Sequence, residues 1–234
     1  MGLFEGKVAL VTGGSSGIGK GFAEFFVDEG AATAIVARDP QKLERTAEEL
    51  RTRRADAQVL AVSADVRDEA AVEAMARRVL EAFGRVDILV NSAGLGIWKT
   101  VAEMSPDEWR TVIETNLTGT FLVTHAVIGS MLQQGSGHVL NISSVAGKIG
   151  FATGSAYCAS KWGVIGFTRA LAAEVRDKGI RVDVLCPGTV ETPFKNSPAA
   201  SPIRLQVSDV IAAARYLLTL PRQVRVDDIV LYPV

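Results

Sequence analysis

The chain has 234 residues, 48% of them apolar and 22% charged, with a formal net charge of -1; this is ordinary globular usage, and it offers no basic field for a nucleic acid. No run reaches the ~18 apolar residues that would span a membrane, and the opening Met1–Lys7 has neither a signal-peptide core nor, with Gly6 where Ser or Thr is required, a myristoylation signal. Cys158 and Cys186 are too few for a disulfide framework and lack zinc-ligand spacing, so the expectation is a cytoplasmic protein without a metal, acting on a small molecule.

Seven short β-branched runs predict strands: Lys7–Val11, Ala32–Val36, Val59–Val62, Ile88–Val90, Val139–Ile142, Val182–Leu185 and Ile229–Leu231. Between them, amphipathic patterns over 18–29, 41–53, 69–83, 107–114, 116–133, 156–178 and 207–219 predict helices. This alternation is that of an α/β fold with a doubly wound, parallel, seven-stranded sheet covered by helices on both faces, using residues 1–234 as one domain. The exception is Glu191–Leu205, where Pro193, Pro198 and Pro202 withhold backbone donors. It reads as a loop of about 191–206 that either covers a site or is a plain surface excursion.

The first strand runs into Thr12-Gly13-Gly14-Ser15-Ser16-Gly17-Ile18-Gly19 and then a helix. Glycine at 13, 17 and 19 lets backbone approach backbone or ligand, and the N–H groups opening the helix suit a pyrophosphate. Tight strand–helix packing would ask for the same glycines.

Tyr157 and Lys161 are four residues apart, so on a helix they share a face and can address one carbonyl group. A phenol of pKa ~10 is a poor base; a neighbouring ammonium would lower that value. An ordinary amphipathic helix shows the same spacing. Ser144 adds weight, because it follows the strand Val139–Ile142 at the edge where open α/β sheets place ligands.

Thr12-Gly13-x-x-x-Gly17-Ile18-Gly19, Asn91-Ser92-Ala93-Gly94, Asn116, Ser144 and Tyr157-Cys158-Ala159-Ser160-Lys161, in this order over nearly the whole chain, resemble the short-chain dehydrogenase/reductase family. The resemblance implies a Rossmann-type domain and hydride transfer between a nicotinamide cofactor and a carbonyl or alcohol. It implies Tyr157 as proton donor and acceptor, Ser144 (thirteen positions earlier) on the substrate oxygen, and Lys161 on the nicotinamide ribose. Asn116 would hold a water in a proton relay to Lys161, although as the first residue of its predicted helix it would also serve as N-cap. Ser143, out of register, reads as a turn residue.

For the cofactor, the resemblance puts the turn residues Gly13, Ser15, Ser16, Gly17, Ile18 and Gly19 at the pyrophosphate, Asp65 and Val66 at the adenine, and Asn91, Ala93 and Gly94 beside the ribose. Ser92 replaces the family's more usual asparagine, and Asp65 could instead cap a helix. In the cofactor-binding segment that begins Pro187-Gly188, the Val190 backbone and the Thr192 hydroxyl would hold the carboxamide. At the end of the second strand stand Ala37 and Arg38, not a carboxylate. An arginine there accommodates the 2′-phosphate of NADP, and Asp39 before Pro40 reads as the cap of the next helix. The family's second basic position is Ser16 here.

Trp98, Phe151 and Phe194 fall at positions around the family's substrate opening, while His125 and His138 belong to no triad or metal set and read as structural. The expected function is NADPH-dependent interconversion of a ketone or aldehyde and an alcohol, on bulky apolar substrates. The alternatives are a 3-oxoacyl-thioester (acyl-carrier-protein) reductase, for which Arg77, Arg78 and Arg176 offer only scattered charge to a carrier, and a non-catalytic NADP-binding scaffold, against which all four catalytic positions are filled. A homodimer or homotetramer is expected, with the ending Leu231–Val234 unlike the family's glycine-rich one.

Overall fold

Strands that are apolar on both sides need cover on both faces, and this chain supplies it. The computed structural model describes residues 2–195, 200–221, 223, 224 and 226–234. In β1 (Val8–Thr12) every residue is buried. Leu10 enters one hydrophobic layer while Ala9 and Val11 enter the other, the two-residue alternation of a strand.

The chain continues through α1 (Gly17–Asp28), β2 (Ala32–Ala37), α2 (Pro40–Arg51), β3 (Val59–Ser63), α3 (Glu69–Phe83) and β4 (Ile88–Asn91). Next come α4 (Pro106–Ile113), α5 (Gly119–Gln134), β5 (Gly137–Ile142), α6 (Ser155–Val175), β6 (Ile180–Pro187), α7 (Val207–Thr219) and β7 (Ile229–Leu231). Every predicted strand and helix is present, with ends displaced by at most three residues. The seven strands form one sheet in the order β3-β2-β1-β4-β5-β6-β7, parallel throughout.

On one face Val72, Met75 and Val79 of α3, Val123, Val127 and Met131 of α5 and Leu171 and Val175 of α6 close over the sheet. On the other, Phe22, Phe25 and Phe26 of α1 meet Val210, Ala214 and Leu217 of α7. Because β1 pairs with both β2 and β4, the chain builds outward to β3 and then restarts on the other side of β1. A crevice opens at the C-terminal ends of the strands where the order reverses, and there an α/β sheet accepts a ligand.

Two local expectations change. Asn116 does not begin a helix: α4 passes through a π-helical turn, Glu114–Thr118, directly into α5. The N-cap role is therefore excluded. Asp65 is no cap either, since Asp68 accepts the bond from Ala71 N that opens α3. Asp39 does cap α2 as expected, accepting from Gln41 N and Lys42 N at 3.0 Å each. Among the described residues no helix is long and apolar enough to cross a membrane.

Candidate active site

The glycine turn is built first by steric need. Gly13 and Gly17 have φ of 68° and 53°, a region L side chains avoid. A Cβ on Gly13 would lie 3.1 Å from the Ala93 backbone, and one on Gly19 would lie 2.3 Å from Gly13 O. Positions 13 and 19 thus close the strand–turn–helix joint, while Gly17, Ile18 and Gly19 also line a cavity. Thr12 locks the joint to β4, its Oγ1 accepting from Ser92 N and Ala93 N at 3.1 Å each. The Ser16 side chain makes no capping bond to α1. The N–H groups of that first turn are left for an anion, which is what a dinucleotide pyrophosphate requires.

The cavity holds about 540 Å³ over the C-terminal ends of β1, β4, β5 and β6. It gathers Gly13, Ser16, Gly17, Ile18, Gly19, Ala93, Gly94, Ser144, Tyr157, Lys161, Pro187, Gly188, Val190 and Thr192, fourteen of the catalytic and cofactor positions expected from the sequence. Six others lie off its wall. Ser15 turns its carbonyl to Thr46 Oγ1 at 3.5 Å. Arg38 is exposed just past β2. Asp65 is clasped by Arg67, Nη2 to Oδ2 at 2.7 Å, and that hydrogen bond, ahead of smaller contributions including the charge of Arg38, holds its carboxyl below the usual range. Val66 is buried against the position of Gly119. Asn91 is buried and turned the other way: its Nδ2 donates to Thr124 Oγ1 at 3.0 Å and Asn141 Oδ1 at 2.9 Å. As the last residue of a strand it follows the alternation onto the α5 face, so its side chain braces the sheet and is not a cavity contact.

Tyr157 and Lys161 project from α6, and Ser144 stands just past β5. Desolvation pushes the Tyr157 phenol up to about 12, opposed by its hydrogen bond with Ser144. Burial brings Lys161 down to about 8. The expected lowering of the phenol by the ammonium is not found here. Lys161 Nζ donates to Ile142 O at 2.8 Å and lies 5.7 Å from the centre of the Tyr157 ring, over its face, so desolvation prevails.

Asn116 is fully buried and braces two segments. Its Oδ1 accepts from Leu95 N, and its Nδ2 donates to Leu95 O and Ser160 Oγ, all at 2.9 Å. A Cβ on Gly94 would sit 3.2 Å from Asn116 Oδ1 and 3.7 Å from Lys161 Nζ, so the two side chains converge on that glycine. Ser143 lies in the link just past β5 and on the cavity wall. It is buried and donates to Lys161 O at 2.9 Å.

Trp98 meets Tyr157 edge-on at 5.1 Å between ring centres and lies 6.0 Å from Phe151 and 6.5 Å from Phe194; all four rings line the cavity. Trp98 Nε1 donates to Lys195 O at 2.8 Å, tying the loop after β4 to the loop after β6. The expected covering loop is described on both flanks, with Val190 bridged to Leu205. Pro198, with residues 196–199, lies outside the described residues. His125 stacks on Phe121 and the buried His138 bonds Asp183 at 2.7 Å, neither at the cavity. Sequence reasoning missed Lys42, Ile149, Tyr232 and Pro233 on the wall. Only Lys42 left a signal, as a cation in the first turn of a helix.

With this geometry in view, residues 7–201 match the short chain dehydrogenase family profile. The chain belongs to the short-chain dehydrogenase family, and is an oxidoreductase of that class. It is 42% identical over 190 residues to a (2S)-((R)-hydroxy(phenyl)methyl)succinyl-CoA dehydrogenase subunit of Thauera aromatica, covering 81% of this chain and 75% of that one. It is 39% identical to a 3-oxoacyl-(acyl-carrier-protein) reductase of Salmonella typhimurium, with 81% and 75% covered. An alcohol dehydrogenase from Thermococcus sibiricus, solved in complex with 5-hydroxy-NADP, superposes with a TM-score of 0.89 at 35% identity, covering 97% of each chain.

Proposed function

We propose that the protein uses NADP(H) to interconvert a ketone and a secondary alcohol, with bulky, aryl-bearing substrates favoured. The observation that carries this is the convergence of Ser144, Tyr157 and Lys161 on a cavity that also includes an uncapped helix N-terminus. The dinucleotide, when bound, supplies or takes up the hydride. Everything else falls to the chain. Ser144 donates to the carbonyl oxygen as negative charge develops there. Tyr157, protonated at neutral pH because of its raised pKa, gives its proton to that oxygen in reduction and takes one back in oxidation. Lys161, anchored by its bond to Ile142 O, would hold the nicotinamide ribose, and Asn116 fixes the Leu95 backbone and α6 so that these groups keep their positions.

The cofactor reading is supported by Arg38 at the end of β2 without a carboxylate beside it at Ala37, and by the NADP analogue in the Thermococcus relative. The aryl reading is supported by the rings of Trp98, Phe151 and Phe194 around Tyr157. The Thauera relative's name describes an alcohol carbon that bears a phenyl group. The test is initial-rate oxidation of NADPH and NADH with a panel of aryl ketones, small methyl ketones and 3-oxoacyl thioesters. Higher kcat/KM on the aryl ketones with NADPH is expected. Turnover confined to thioesters would replace the substrate reading with that of the Salmonella relative, and none with any carbonyl would remove it.

A further inference from the structure

We infer that Lys42 is the second cation for the adenosine 2′-phosphate, acting with Arg38 and making up for the serine at position 16; this rests on the proposal that the protein binds NADP(H). Lys42 lines the same cavity as Gly13, Ser16 and Gly17. Its direction follows from the helix: Lys42 and Thr46 are one turn apart on α2 and share a face, and Thr46 Oγ1 lies 3.5 Å from Ser15 O. The face that carries Lys42 is therefore the one laid against the glycine turn.

The placement runs against helix electrostatics. A helix N-terminus carries partial positive charge and favours acidic residues in its first turn. The first turn of α2 has no acidic residue and instead holds Lys42. Among the described residues neither Arg38 nor Lys42 forms an ion pair. Asp39, between them in sequence, directs Oδ1 to the N–H groups of Gln41 and Lys42, and Glu44 is taken by Arg51 at 2.7 Å. Arg38 just past β2 and Lys42 in the first turn of α2 thus flank one strand–helix junction without an ion-pair partner among the described residues, and a dianion there would offer both a charge-assisted partner. A phosphomonoester on the ribose supplies that charge; a bare 2′-hydroxyl does not.

The test is equilibrium binding, by calorimetry or by quenching of tryptophan fluorescence, of NADPH, NADH, 2′,5′-ADP and 5′-AMP to the wild type, Lys42→Met and Lys42→Arg. Lys42→Met is expected to weaken NADPH and 2′,5′-ADP about fivefold to tenfold, to leave NADH and 5′-AMP within about twofold, and to flatten the salt dependence of NADPH binding. Lys42→Arg, keeping the charge, should restore most of the affinity. Wild-type preference for NADPH that is unchanged in Lys42→Met overturns the inference and leaves the cofactor proposal standing. Equal weakening of NADPH and NADH also overturns it. A wild type that binds neither dinucleotide removes the cofactor proposal and this inference together.

Discussion

Replacing Tyr157 by Phe deletes one oxygen at the centre of the site, and the structure allows its consequences to be separated. The ring keeps its neighbours, with Trp98 at 5.1 Å and Phe194 at 5.9 Å. Ser144 loses its hydrogen bond with the phenol but still accepts from Ala146 N at 3.1 Å, so no buried group is left wholly without a partner. The stability change should be within about 1 kcal/mol, a shift of about 2–4 °C in Tm for a protein of this size. Catalysis should change far more. Proton transfer by a positioned side chain contributes about 10²–10⁴-fold, so kcat should fall at least about 100-fold, or ~2.7 kcal/mol of transition-state stabilisation, while the Kd for NADPH moves little. The assay is steady-state ketone reduction alongside a thermal melt and a cofactor titration. A variant that melts with the wild type and keeps more than about a tenth of kcat would refute the assignment of the proton to Tyr157.

Lys161, brought down to about 8 by burial, should give kcat/KM for reduction a limb that falls as pH rises through 8, with no loss from Tyr157, which stays protonated to about 12; a flat profile to pH 9.5 would exclude the requirement for a charged lysine. The same group affects stability with a definite sign. It sheds its proton near 8 when folded and near its ordinary value of 10.5 when unfolded, so its contribution to unfolding free energy should rise between those values. Lys161→Met should remove that rise from urea midpoints. Ala37→Asp should cut the NADPH-to-NADH ratio of kcat/KM at least about tenfold, because the new carboxylate bonds ribose hydroxyls and repels a 2′-phosphate; an unchanged ratio would mean that the end of β2 does not face the ribose. Trp98→Ala should lower kcat/KM for an aryl ketone about tenfold more than for a small methyl ketone, on the scale of one or two lost ring contacts at ~0.5–1.5 kcal/mol each. Equal losses would assign the indole to the architecture of the loops alone.

The fold was legible because each strand is an apolar run bounded by turn residues and each helix has a clear period, as at β2, the Asp39 cap and α2. The cavity wall was legible wherever a motif keeps its place relative to a strand end, as for Ser144 after β5 and Gly94 after β4. Burial was the harder property to read. Asn91, Asn116 and Ser143 are polar residues whose hydrogen bonds are committed to protein partners, and for Asn116 this goes with a continuous helical path in place of the expected cap. Direction of projection is a three-dimensional property that spacing within one segment does not carry. The same applies to Lys161: its position was readable, but its bond to Ile142 O was not. Tyr232 and Pro233 reach the cavity only because Gly188 N bonds Leu231 O at 2.8 Å, a pairing between segments more than forty residues apart.

The π-helical turn at Glu114–Thr118 places one residue more than an α-helix would spend between α4 and the apolar stripe of α5. An α-helix turns about 100° per residue, so this surplus works as a phase setting. Upstream of it, Val112 is buried; downstream, Val123, Val127 and Met131 are all fully buried in one layer. Removing a single residue from the turn would restore regular helix yet swing that stripe by roughly a quarter of a turn, toward solvent, and would carry Asn116 away from Leu95. The bulge, irregular in itself, therefore keeps the core of α5 and the brace behind the cavity in step with each other, and its length matters as much as the Asn116 side chain it carries.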